Sequence, residues 1–132
     1  MKTCTEKQKE EFIWAIKNGE VDRVYNMINT KTIRINEELR GRQPLHYAAD
    51  YGQAEIIKFL LNQGADINHG LLAHTKAKDS YGITPILAAI WEGHIPVVQL
   101  LLEKGADKTV LSPEGSKLLD CAEKLEIKKL LA

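Results

Sequence analysis

The sequence predicts an all-α solenoid of about four stacked helix–turn–helix repeats, and three observations carry that prediction. Residues 42–68, RQPLHYAADYGQAEIIKFLLNQGADIN, align without a gap on residues 83–109, ITPILAAIWEGHIPVVQLLLEKGADKT. Residues 14–29, WAIKNGEVDRVYNMIN, repeat residues 47–62, YAADYGQAEIIKFLLN, with Gly19 placed 33 residues before Gly52. The interval from Gly52 to Gly93 is 41 residues, eight too many, and the eight residues HGLLAHTK at 69–76 belong to neither flank. Removing them restores the period. The expected organisation is a single domain, 1–132, with repeats at 6–38, 39–68, 77–109 and 110–132. The insertion at 69–76 then extends a finger loop between the second and third repeats.

Each element has a local physical reason. The first repeat opens without a Pro-led start, and the last is shortened to KLLD at 117–120, as terminal repeats with polar outer faces require. Pro44 and Pro85 suit the first turn of a helix, where no N–H donor is needed. The Ala pairs at 48–49 and 88–89 let neighbouring helices approach closely. Gly19, Gly52 and Gly93 supply the left-handed residue that ends a short helix. A second helix follows in each repeat, with apolar stripes Val24/Met27/Ile28, Ile56/Ile57/Leu60/Leu61 and Val97/Val98/Leu101/Leu102. Gly64 and Gly105 stop those helices. No helix pair can bury its own stripe, so stacking supplies the core.

Composition excludes several function classes. Basic and acidic residues balance at 18 each, so no net field attracts nucleic acid or anionic lipid. The apolar run near Val97–Leu102 is too short to span a bilayer, and the charged start MKTCTEKQKEE does not read as a signal peptide. Cys4, in a start expected to fray, and Cys121, expected to be a small buried hydrophobe, lack CxxC spacing and fit a reducing compartment. The expectation is a soluble intracellular protein. His69 and His74 stand five apart with only Asp66 and Asp79 as nearby carboxylates, short of a metal's ligand set. No phosphate loop, HExxH or GxSxG occurs. No catalytic, cofactor or metal residue is assigned, and the enzyme class is set aside.

The 33-residue period, with PLHYAA at 44–49, TPILAA at 84–89 and GAD closing the second helices of the two full repeats at 64–66 and 105–107, resembles the ankyrin repeat over nearly the whole chain. The resemblance gives His46 and His94 turn hydrogen-bonding roles. It also implies a binding module that works through the first helices, on a concave strip. With the Ala pairs facing the core, helical spacing puts Trp14/Lys17/Asn18, Tyr47/Asp50/Tyr51 and Ala88/Trp91/Glu92 on that strip. Trp14, Tyr47, Asp50, Tyr51, Trp91 and Glu92 are therefore the expected partner-binding residues, aromatic and acidic, suited to a basic and apolar partner. EFIWAIKNGEVDRV, PLHYAADYGQAEI, FLLNQGADIN and WEGHIPVVQLLLEKGADKTV further resemble one small cytoplasmic member of the family. That resemblance implies a monomeric, non-enzymatic inhibitor of the heterodimeric actin capping protein, with Trp14, Asp50, Trp91 and Glu92 in the contact. Its location would be the cytoplasm, with the nucleus second. Trp91 stands where that pattern has tyrosine, and residues 69–76 have no counterpart in it. The competing reading is an ankyrin adaptor or inhibitor of another partner, such as a kinase or a transcription factor. A structural or storage role would call for a featureless polar strip.

Overall fold

The structure is a computed structural model in which residues 4–69 and 82–132 are described. Residues 70–76 of the insertion, with the finger predicted for them, lie outside the described residues. Among those described, the chain forms eight α-helices: α1 Glu6–Lys17, α2 Val21–Asn29, α3 Pro44–Asp50, α4 Ala54–Asn62, α5 Pro85–Glu92, α6 Ile95–Glu103, α7 Leu118–Cys121 and α8 Leu125–Leu131. They fall into two compact units, Met1–Asp66 and Ile67–Ala132. None of these helices is long and apolar enough to cross a membrane.

In the first unit α1 and α3 form one layer and α2 and α4 the other, each helix packing on its hairpin mate and on its neighbour in the same layer. A capping box starts α1: Thr5 Oγ1 accepts from the Gln8 amide at 3.1 Å, and the Gln8 side chain accepts from the Thr5 amide at 2.9 Å. This start carries no Pro, and the sequence reading overlooked its T-x-x-Q signature. Phe12, Ala15 and Ile16 bury one face of α1, and Val24, Met27 and Ile28 bury the facing stripe of α2. Beyond α2 the chain reverses in a two-residue turn, with Leu39 N–H donating to Arg42 O at 2.7 Å. Arg40 and Gly41 hold φ of 52° and 86°, both left-handed, as such a hairpin requires. Pro44 then opens α3. Tyr25 of α2 stacks on Phe59 of α4 with ring centroids 4.0 Å apart.

The second unit repeats the two-layer plan, with α5 and α7 in one layer and α6 and α8 in the other. Pro85 opens α5, and Thr84 Oγ1 accepts from the Leu87 amide. Asn68 Oδ1 accepts from the Asp107 amide at 2.9 Å, tying this unit's first residues to the turn after α6.

Some expectations need correction. Leu61 and Leu102, placed in the buried stripes, are half-exposed, whereas Leu100 is buried. The outer helices expose the flank on which no neighbour packs. Cys121 is half-buried rather than buried. Cys4 is not frayed: its thiol donates to the Glu37 carboxylate in the segment after α2.

Candidate partner-binding surface

In the first unit α1 presents its last turns to solvent. Trp14 is 52% exposed, Lys17 and Asn18 are exposed, and the Asn18 amide donates to Trp14 O at 2.9 Å. On α3, Tyr51 caps the helix end and is 39% exposed. Asp50 is half-buried and ion-paired with the Arg42 guanidinium.

Tyr47 departs from the expected surface. It is only 7% exposed, and its hydroxyl donates to Leu39 O at 2.7 Å. The Arg42 guanidinium lies 5.9 Å from its ring centroid, so the 39–42 turn covers it. Burial pushes the Tyr47 phenol above its ordinary pKa, although Arg42 and Arg40 pull the other way. Tyr47 is therefore a support for the hairpin. Ala88, at the same repeat slot in α5, is buried too. Trp14 also occupies that slot, but among the described residues no hairpin precedes α1, and its indole stays open.

Arg42 is the residue the sequence reading missed. It joins the hairpin to Asp50 and to the Tyr47 ring. The signal was present as RGR at 40–42, two guanidinium groups flanking a turn glycine, eight residues ahead of an acid on the next helix. Arg40 makes a similar link, pairing with Glu10 of α1 at 2.7 Å. In the first unit Asp50 and Glu10 thus come already matched with cations.

In the second unit α5 ends on Trp91, 45% exposed, and Glu92, also exposed, before Gly93 turns the chain at φ 73°. An acid beside an open indole is the arrangement expected for this helix. The two tryptophans do not occupy one repeat slot, however. Trp91 aligns with Asp50 and Lys17, and Glu92 with Tyr51 and Asn18.

Among the described residues no group of three or more His, Cys, Asp or Glu side chains could hold a metal ion. The half-buried thiol of Cys4 is pushed upward by burial and by Glu37, which leaves it a poor nucleophile. What the exposed side chains offer is flat aromatic area with hydrogen-bonding edges, suited to burial against another protein.

Comparison with known proteins points the same way. The family profile for ankyrin repeats, in three copies, matches residues 12–112. Myotrophin of Xenopus tropicalis is 48% identical over 58 residues, 43% of this chain and 48% of that protein. Myotrophin of Xenopus laevis is 50% identical over 48 residues, 36% of this chain and 40% of its own length. Alpha-latrocrustotoxin-Lt1a of Latrodectus tredecimguttatus is 32% identical over 121 residues, 92% of this chain but 8% of the toxin. The chain thus spans about half, or less, of the length of these curated relatives. With paired short helices, Pro-led starts, glycine ends and a profile match over most of its length, the chain belongs to the ankyrin-repeat family and is a protein-binding module.

Proposed function

We propose that this protein binds and sequesters the heterodimeric actin capping protein, keeping it from filament barbed ends and so favouring filament growth. The reading rests on the likeness to myotrophin, the small ankyrin-repeat protein whose resemblance implies that role. One observation carries it to particular residues: both tryptophans of the chain are about half exposed at the ends of inner helices. Open indoles gain most from burial in an interface and recur among its energetic centres. Trp14, Tyr51 and Asp50 form the contact in the first unit, Trp91 and Glu92 that in the second. Tyr47 contributes from beneath, by holding the 39–42 hairpin. The action is binding alone, and the place of action is the cytoplasm.

The test is direct. Purified capping protein is mixed with this chain, and barbed-end elongation is followed from filament seeds. Dose-dependent recovery of elongation, with a stable complex in sedimentation, is expected. Elongation that stays blocked at saturating protein, with no complex, would remove the proposal. Residues 69–76, absent from the myotrophin pattern, are the observation that favours the second reading, an adaptor or inhibitor for another protein such as a kinase or a transcription factor.

A further inference from the structure

The residue that opens an outer helix does not cap that helix in either of two corresponding places. Gln53 is the N-cap of α4 and Lys124 the N-cap of α8, and neither makes a side-chain cap hydrogen bond to its own helix. Both side chains reach back instead to the first helix of the preceding repeat, α1 and α5. Gln53 Nε2 donates to Lys17 O, at the end of α1, at 3.2 Å. Lys124 Nζ donates to Gly93 O, at the end of α5, at 2.8 Å. In both cases the long side chain passes over the glycine that ends the inner helix. A Cβ on Gly19 would meet the Gln53 amide at 3.5 Å, and one on Gly93 would meet Lys124 Cε at 3.0 Å and Nζ at 3.1 Å. The missing side chain is the channel through which the donor arrives.

We infer that Lys124 is a positioning residue for the Trp91–Glu92 end of α5, as Gln53 is for the Trp14-bearing end of α1. A helix end leaves carbonyls without intrahelical donors, and a cation there also opposes the negative end of the helix dipole. Lys124 supplies both from another element. It fixes the backbone two residues beyond Trp91, and with it the direction in which the indole leaves the helix. Gln53 does the same with a neutral donor, so the hydrogen bond rather than the charge is the shared device. The positioning itself stands on this geometry; only its consequence for a partner rests on the proposed function.

The experiment uses Trp91 as sole fluorophore, in the full chain carrying Trp14→Phe. Lys124→Met keeps the aliphatic stem and removes the donor, whereas Lys124→Gln restores a donor of the kind Gln53 provides. With a hydrogen bond of ordinary net strength removed, Lys124→Met is expected to speed exchange of the Gly93 and His94 amides about two- to tenfold. Acrylamide quenching of Trp91 should rise with it, and Lys124→Gln should return both to wild-type values. Capping-protein affinity, measured with Trp14 restored, should fall about two- to tenfold for the Met variant alone. Unchanged exchange and quenching in Lys124→Met would overturn the inference, as would a Gln variant as loose as Met. If wild-type protein binds no capping protein, the proposed function fails while exchange and quenching still decide this point. Gln53→Met, read on Trp14 in a Trp91→Phe chain, is the second variant should Lys124→Met not fold; a Trp14 signal identical to wild type there counts against the device.

Discussion

Tyr47 and Trp14 occupy the same slot of successive repeats and meet opposite fates. Alignment gives a residue its slot and helical spacing its face. Neither says what lies above it, and that is why the sequence placed Tyr47 on the surface. Its hydroxyl and ring are consumed by the hairpin. Tyr47→Phe should lower stability by about 0.5–1.5 kcal/mol, read by denaturant unfolding. The pH dependence has a defined sign. Burial raises the folded-state phenol pKa above its unfolded value, so the stabilisation is fully present below the unfolded pKa. It is lost as pH rises through the folded pKa, above about 10. Wild type should therefore lose stability more steeply than Tyr47→Phe in that alkaline range; parallel curves would show the phenol to be unconstrained. At the exposed positions, Trp14→Ala and Trp91→Ala should each weaken capping-protein binding by about 1–3 kcal/mol with the fold intact, as titration calorimetry would measure. Glu92→Lys should slow association and flatten its salt dependence. Asp50→Lys should change the association rate less, because Arg42 already covers that carboxylate.

At the scale of elements, starts and stops were legible and flanks were not. Pro44 and Pro85 open α3 and α5, and Gly19 and Gly93 end α1 and α5 with φ of 70° and 73°. Each of these signals acts within one turn of backbone, so sequence suffices to read it. Which flank of an outer helix is covered depends on a neighbour more than 20 residues away. Leu102, placed in the buried stripe, is therefore half-exposed, while Leu100, left out of it, is buried. The clasp of Gln53 and Lys124 was invisible for the same reason. It predicts unequal glycines. Gly93→Ala should cost about 1–2 kcal/mol for left-handed backbone, plus the displaced Lys124 bond of about 0.5–1.5 kcal/mol. Gly105→Ala, with open space around its Cβ at φ 93°, should show only the first of these. Thermal unfolding of the two variants gives the comparison; equal losses would show that Lys124 simply moves aside.

For the molecule as a whole, the repeat register predicted the helix pairs because the α3/α4 and α5/α6 pairs reuse one pattern of proline, alanine and glycine, from which the terminal pairs depart. The insertion has no such pattern to be read against. Residues 70–76 lie outside those described, so the reading of 69–76 as an elaborated finger is a proposal with its own test. Closure entropy grows only with the logarithm of loop length, so eight residues alter stability by about 1 kcal/mol or less. Deleting 69–76 should leave a folded protein of equal or higher Tm that still binds capping protein. A deletion variant that unfolds would make the segment part of the core; one that folds and no longer binds would make it the recognition element.

The Arg42–Asp50 pair sets a condition on whatever docks beside it. Arg42 is tethered eight residues from the acid it covers, by Gln43 and the helix α3. A tether of that length presents its cation at an effective concentration on the order of millimolar or above. A stray lysine or arginine on a passing protein, far more dilute, loses that competition. A partner whose cation arrives together with an apolar contact for Tyr51 becomes bivalent and can win it. The surface would then select for patches rather than for charges.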